Sequence, residues 1–334
     1  MNITYLIGNG FDLHFGLQTR YQDFLKYYEK QKPENKNIGS FKKKWLQKFD
    51  FWSDLELALG ERTGNFSGGD IETYINFIKD MQIALAEYCE EEQKKAALIE
   101  EERKKKVKKD IVSFAKYFKN EEIEAKINRL MPSDEDYLVN FVVFNYTNTL
   151  ETIIATPTEV RKNSLIYGWQ DQSLLPQYYK AQLGNLIHIH GTTRESMILG
   201  VNDSEQISNN NFAGNDKFLD EIVKPRMNRN CERNRERKVI DCINDSNIIC
   251  IYGMSMGDTD KLWWQTIGKR LTQDDEVNLV IFDIPPRGEH STRDFFLSRC
   301  KAKKELFLSK SSLSDQDKTA IKDRIYICLS DEFF

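Results

Sequence analysis

Four apolar runs of strand length constrain this chain more than any other feature: ITYLI at 3–7, LVNFVVF at 138–144, NIICIY at 247–252 and VNLVIFD at 277–283. Each is too short for a core-spanning helix and too uniformly apolar to show one face to water, so each reads as a strand covered on both sides, as parallel sheets require. A turn or polar cluster and then a helical pattern follow each run. That alternation predicts an α/β fold with a doubly wound, mostly parallel, Rossmann-like sheet. Shorter strands are expected at 165–167, 186–189 and 197–201, and a last one at 324–329. With 334 residues, 40% of them hydrophobic, the chain can fill one large domain carrying an insertion, or two domains.

Between the first two runs the pattern turns helical. Phe41, Trp45, Phe49, Trp52, Leu55 and Leu59 recur at helical spacing and read as a packing stripe, and residues 63–70 read as a loop ending in a helix cap near Asp70. From 71 to about 120 there is neither Pro nor Gly, which predicts one long helix. Its charged middle sets Glu90, Glu91, Glu100, Glu101 and Glu102 four residues before Lys94, Lys95, Lys104, Lys105 and Lys106, the favourable order. We therefore expect a projecting helix or helical hairpin whose balanced charge suits a solvated spacer or an oligomer contact better than nucleic acid. The resulting division is 1–40 (first strand, glycine loop and following helix of the α/β core), 41–132 (helical insertion) and 133–334 (remainder of the core).

The formal charge of -4 gives no global reason to bind nucleic acid or an anionic membrane. The six cysteines form no CxxC pair, and Cys250 and Cys328 lie in apolar runs, so the thiols read as reduced. With no apolar run of membrane length and a strand rather than a leader at the start, the expected location is cytoplasmic. One local positive run, KPRMNRNCERNRERK at 224–238, holds seven basic residues, among them Lys224, Arg226 and Arg235. It could meet a cofactor phosphate or a nucleic-acid backbone, but carries no aromatic to stack on bases; the plain alternative is an exposed helix face.

The strand ends carry the chemistry. After the first strand, Gly8 and Gly10 permit a tight turn that can bring N–H groups to a bound anion, although GNG alone equally suits a plain turn. The second ends in FNYTNTLE, another in IHIHG and a fourth in IYGMSMGD, a second glycine turn before a helix. In a parallel sheet these ends open on one edge and can form one crevice. Of the four histidines, His14, His188, His190 and His290, His190 ends a buried strand before a glycine and is the better general-base candidate. His188 and His190, two apart and without a cysteine partner, match no common zinc spacing, and no metal is expected.

With an NGFDL segment, a FNYT strand end, an IHG strand end and a G-x-S-x-x-D turn, the chain is identified as a member of the bacterial abortive-infection AbiH family, from Tyr5 to about Asp283. It resembles, more distantly, the Sir2-like NAD-consuming fold. That resemblance implies NAD as substrate or ligand, with Asn145 and His190 as catalytic residues. It sets Gly8, Asn9, Gly10, Asp12, Tyr146, Thr147, Gly253, Ser255 and Asp258 around the nucleotide, the first loop holding pyrophosphate and Gly253 with Ser255 the adenosine ribose. Two departures stand out: Thr147 where many such NADases have Asp, and Asp12 where their glycine loop has Ser. No zinc-binding cysteine quartet is present, which argues against a sirtuin-type deacylase. The implied activity is hydrolysis of NAD to nicotinamide and ADP-ribose, triggered by infection through an unknown phage signal or by homo-oligomerisation. Two alternatives remain open. One is a non-catalytic nucleotide sensor; the other is a nuclease or phosphoester hydrolase using the basic run with Asp12 and Asp258 about a divalent ion.

Overall fold

The computed structural model describes residues 1–32, 36–47, 54–132, 134–154, 163–170, 178–230, 234–284 and 293–334. Phe49, Trp52, Cys231, Arg233 and His290 lie outside the described residues. Among these residues seven strands form one sheet: β1 (Asn2–Ile7), β2 (Tyr137–Val143), β3 (Leu165–Gln170), β4 (Tyr178–His188), β5 (Ile248–Tyr252), β6 (Asn278–Asp283) and β7 (Ile325–Leu329). Their spatial order is β3-β4-β2-β1-β5-β6-β7, parallel throughout except that β3 runs antiparallel to β4. The four apolar runs thus occupy the sheet centre, where both faces are covered. Tyr5, Phe141 and Cys250 bury toward one face, and Leu6, Val142 and Ile251 toward the other.

Helices Arg235–Asn244, Lys261–Gln273, Arg293–Lys310 and Asp315–Ile321 supply apolar residues to the second face. The first face is covered by Val107, Ile111 and Phe114 together with helix Thr149–Ile154 and the aromatic pair Phe333 and Phe334. A third core lies among helices: Phe24, Tyr28, Phe41, Trp45, Leu59, Tyr74, Phe77 and Met81 pack with Phe212, Phe218 and Ile222. This helical lobe also takes in Tyr146 and Leu199, which belong to the carboxyl edge of the sheet.

Several expectations are corrected. The long helix is broken, running Ile71–Gln93, a 3-10 turn Lys94–Leu98, Glu101–Asp110, a 3-10 turn Phe114–Tyr117 and Glu121–Leu130. No helix-breaking residue marks the first break, where tertiary bonds act instead: the Glu92 carboxylate accepts from the Gln18 N–H at 2.7 Å and Gln93 Oε1 from the Asn148 N–H at 3.2 Å. The charged pairs consequently form three residues apart, Glu91–Lys94, Glu92–Lys95, Glu101–Lys104 and Glu102–Lys105. The segment also does not project, since Val107, Ile111 and Phe114 are fully buried on the sheet and the Tyr5 hydroxyl donates to the Ile111 carbonyl at 2.7 Å.

The expected strands at 165–167 and 186–189 prove to be parts of β3 and of the longer β4. Residues 197–201 form no strand; the Ile198 N–H donates to the His190 carbonyl at 2.8 Å and Val201 makes a single bridge with Val223. The stretch 41–59 is not one helix, as Lys36–Leu46 and Leu55–Glu61 are separate. Where 63–70 was expected to be loop, two 3-10 turns stand; Asp70 does precede helix Ile71–Gln93, but its side chain makes no cap bond to that helix and instead accepts from the Ser67 N–H and hydroxyl at 2.8 Å.

The anchor of the formerly charged helix is Asp110. Fully buried, it accepts from Lys106, Lys116 and the Tyr117 hydroxyl at 2.7, 2.9 and 2.8 Å. Asp110→Ala should lower unfolding free energy by about 2 kcal/mol in urea titration, against less than about 0.5 kcal/mol for the exposed Glu102→Ala.

Candidate functional site

Two glycine turns meet backbone to backbone at the carboxyl edge of the sheet. The Gly8 N–H donates to the Tyr252 carbonyl at 2.9 Å and the Gly10 N–H to the Gly253 carbonyl at 2.8 Å. A Cβ on Gly10 would lie 2.5 Å from the Gly253 Cα, and Gly253, at φ +69°, has the Phe11 nitrogen 2.7 Å from where its own Cβ would stand. Only glycine fits these positions. The contact also occupies the Gly8 and Gly10 amides, two of the three in the loop expected to hold pyrophosphate, so the GNG turn is a packing device at Gly8 and Gly10. Asn9 closes the loop by side chain: its amide donates to the Thr19 carbonyl at 2.9 Å and its Oδ1 accepts from the Thr19 hydroxyl at 2.5 Å.

The turn delivers Asp12, on the short helix Gly10–His14, against the end of β2. Asp12 is 1% exposed; its Oδ2 accepts from the Thr147 hydroxyl at 2.6 Å, and Thr149 in turn donates to Thr147 at 3.1 Å. Burial pushes the Asp12 carboxyl up to about 6, while the Thr147 hydroxyl, the Asn145 amide and the Thr149 hydroxyl pull the other way. The nearby Asn145 amide makes no hydrogen bond of normal geometry to Asp12. The Asp12 Oδ1 and the Asn145 Oδ1 are buried with no hydrogen-bond partner among the described residues.

The two strand histidines take different roles. The His188 Nδ1 lies 2.9 Å from the Asn145 carbonyl and its Nε2 2.7 Å from Glu151. Burial opposes charge on this ring, but Glu151 and the carbonyl outweigh it and hold the ring above its usual range. His188 thereby fixes the backbone that carries Asn145. His190, beyond the end of β4, has its Nε2 3.4 Å from the Lys224 ammonium and 3.5 Å from Asp260.

Lys224 pairs with Glu56 at 2.7 Å and with Asp260 at 3.3 Å, both Lys224 and Glu56 being almost wholly buried. Burial works against the Lys224 charge, yet Asp260 and Glu56 hold its proton more firmly than usual. Burial likewise opposes the Asp260 carboxylate, but Lys224 and His190 hold it well below the ordinary range. Glu56 is raised by burial, which outweighs the opposing Lys224 and His190, so of the two acids it keeps a proton more readily.

One cavity of about 700 Å³ gathers these groups. Its wall includes Gly8, Asn9, Gly10 and Asp12 from the first turn, Asn145, Tyr146 and Thr147 from the β2 end, His190, and Gly253 with Ser255 from the second turn. Asp258 is not among its lining residues: its side chain is 59% exposed and pairs with Lys310 at 2.5 Å, while Asp260, two residues on, lines the cavity. The structure therefore does not bring Asp12 and Asp258 together about an ion. The basic run is likewise no single face. Lys224 and Arg235 are buried, Arg226 pairs with Asp216 and Asp220, and the described part is split between Lys224–Asn230 and Arg235–Asn244.

Sequence reasoning missed Tyr21, Asp54 and Glu56 as lining residues, and Lys224 as their buried partner. Asp54 had a legible signal, a cap before an apolar helix, and accepts there from the Glu56 N–H at 3.0 Å. Glu56 and Lys224, 168 residues apart, had none. Among the described residues no helix is long and apolar enough to cross a membrane, and the described cysteines Cys89, Cys242, Cys250, Cys300 and Cys328 are free thiols.

A mostly parallel α/β sheet with a cavity outside the carboxyl ends of its central strands is the architecture in which loops at strand ends carry ligand chemistry. The chain belongs to the bacteriophage abortive infection AbiH family, whose family model matches residues 4–283. Membership implies a role in abortive infection, and the match spans the cavity's strand ends from β1 to β6. Comparison with curated proteins gives no match.

Two outcomes test the electrostatics. Lys224→Met leaves Asp260 and Glu56 without their cation and should cost about 3 to 5 kcal/mol in chemical unfolding. For Asp12, a folded-state pKa near 6 against an unfolded value near 3.8 means that the folded protein binds the proton more tightly. Its contribution is therefore most favourable below pH 4 and is lost as pH rises to 6. The stability difference between wild type and Asp12→Asn should change by about 2.4 kcal/mol between pH 4 and pH 7, measured by unfolding at each pH.

Proposed function

We propose that this protein acts in abortive infection by hydrolysing NAD to nicotinamide and ADP-ribose. The observation that carries the reading is that Asn145 and His190, from the ends of the neighbouring strands β2 and β4, line one cavity with both glycine turns. The Sir2-like resemblance of those strand ends supplies the substrate, and about 700 Å³ lies within the range of small-molecule sites. Asn145 orients the nicotinamide ribose and the attacking water. His190 takes the proton from that water as its oxygen bonds to the ribose C1′, and the glycosidic C–N bond breaks with its electron pair leaving on nicotinamide. The balance is NAD⁺ plus water to nicotinamide, ADP-ribose and a proton.

Gly253 and Ser255 serve the adenosine side. Pyrophosphate recognition does not fall to Gly8 and Gly10, whose amides are spent on the second turn. Continuous loss of NAD would halt an uninfected cell, so activity is held off until a phage signal or self-association releases it. The buried Glu56–Lys224 pair, which joins the helical lobe to the His190 side of the cavity, is a suitable place for such control.

Purified protein incubated with NAD over a wide concentration range, with and without lysate from infected cells, should release nicotinamide in at least one condition. Asn145→Ala and His190→Ala should each reduce that release about a hundredfold or more. NAD left intact in every condition would sink the hydrolase reading, and tight nucleotide binding without turnover would then assign the cavity to a sensor.

A further inference from the structure

The cavity holds a pair of buried acceptors with nothing to accept. Among the described residues, three buried side-chain atoms on its wall have no hydrogen-bond partner: the Asp12 Oδ1, the Asn145 Oδ1 and the Tyr252 hydroxyl. The hydroxyl can donate or accept and does not discriminate. The other two cannot donate, unless Asp12 is protonated. Both residues are more than nine-tenths buried, at 1% and 7% exposure, Asp12 on the short helix after β1 and Asn145 just beyond the end of β2, the strand paired with β1. A buried acceptor without a donor costs about 1 to 3 kcal/mol, and a ligand that supplies donors recovers it.

We propose that the Asp12–Asn145 end of the cavity recognises an uncharged ligand group presenting paired O–H or N–H donors, such as a ribose cis-diol or a primary carboxamide, and not a phosphate. Three further features support this assignment. The Asp12 carboxylate would repel a phosphate placed against it. The Gly8 and Gly10 amides that could have answered a phosphate are donated to the Tyr252 and Gly253 carbonyls. Finally, Thr147 spends its hydroxyl proton on the Asp12 Oδ2, so the β2 end presents a carboxylate borrowed from the first loop where its own residue is a threonine. The two departures noted in the sequence, Asp12 and Thr147, are thus one arrangement: they are hydrogen-bonded at 2.6 Å.

The sign of the pH dependence separates a donor ligand from an acceptor ligand. Donors favour the Asp12 carboxylate, so binding them should lower its proton affinity and release a proton near pH 6. A phosphate would favour protonated Asp12 and bind better in acid. The other titratable groups acting on Asp12 are His188, held by Glu151, and Cys89, whose thiol burial pushes up to about 12. His190 shares the same cavity. Both histidines remain in an Asp12→Asn variant, which isolates the carboxylate.

The choice of probes rests on the NAD reading. Calorimetry of the full chain with ADP-ribose, which carries the diols, and with nicotinamide, which carries the carboxamide, should be run from pH 5 to pH 7.5. At least one probe should bind about tenfold more tightly at pH 7 than at pH 5, the change in ionised fraction of a group titrating near 6. Near pH 6 its heat should vary with the ionisation enthalpy of the buffer. Whichever probe shows this identifies the diol or the carboxamide. Asp12→Asn, checked for folding by its thermal transition, should flatten the profile. Thr147→Val, which removes a donor to the carboxylate, should move the wild-type midpoint upward.

Affinity that rises toward acid, or a profile unchanged in Asp12→Asn, overturns the proposal. These results stand apart from turnover. Base-favoured binding without nicotinamide release from NAD would refute the hydrolase and keep this assignment, whereas hydrolysis with a flat binding profile would do the reverse. If neither probe binds, this assignment falls, while the hydrolase reading still stands or falls on nicotinamide release from NAD.

Discussion

A close backbone approach governs the site: the backbone of Gly8 and Gly10 lies directly on that of Gly253. No side chain can stand between them, because a Cβ on Gly10 would come within 2.5 Å of the Gly253 Cα. This contact draws the ends of β1 and β5 together and sets the start of the Gly10–His14 helix, and with it the direction in which Asp12 faces. Placing Asp12 against Thr147 then ties the first loop to the end of β2. The turn acts as a hinge pin, with the Gly8 and Gly10 N–H groups engaged in holding two loops together.

Much of this was legible because burial on both faces leaves an unambiguous mark. The runs at 3–7, 138–144, 247–252 and 277–283 differ from β1, β2, β5 and β6 by no more than one residue at either end, and residues of the polar clusters after them line the cavity. Legibility failed where a distant contact overruled local preference. Nothing between Gln93 and Glu101 opposes a helix, yet the chain turns there to satisfy Gln18 and Asn148. Residues 197–201 are as apolar as a strand but face the helical lobe, where they find a single bridge instead of a ladder. Glu56 and Lys224 carried no local sign of their meeting, since a charged residue in a charged segment looks solvated until its partner appears.

That partnership gives the cavity two electrostatic ends. At one, Lys224 sits between Glu56 and Asp260 and beneath His190, so opposite charges flank the imidazole in a place that water scarcely reaches. At the other, Asp12 has hydroxyls and an amide for neighbours and no cation in contact, and burial dominates. In a medium less polarisable than water such differences in neighbourhood are large. One carboxylate is fixed in its charged form and the other is left able to change, which is how a single pocket can hold a proton at one end while exchanging one at the other.

The position of β1 has a consequence for how the chain is made. It is the first strand to leave the ribosome and the middle strand of the sheet, and its neighbours lie far downstream, Asn2 opposite Leu138 and Ile3 opposite Ile248. An apolar segment with both edges open must therefore wait until Tyr137–Val143 for its first partner and until Ile248–Tyr252 for its second, and closing such long loops is slow. The helical lobe that begins at Tyr21 is in large part complete by Gln93 and can form meanwhile, leaving the sheet to condense late around a strand already in hand. Since the glycine contact joins β1 to β5, no cavity exists until the turn after Tyr252 has been made. A partly synthesised chain therefore lacks the assembled cavity.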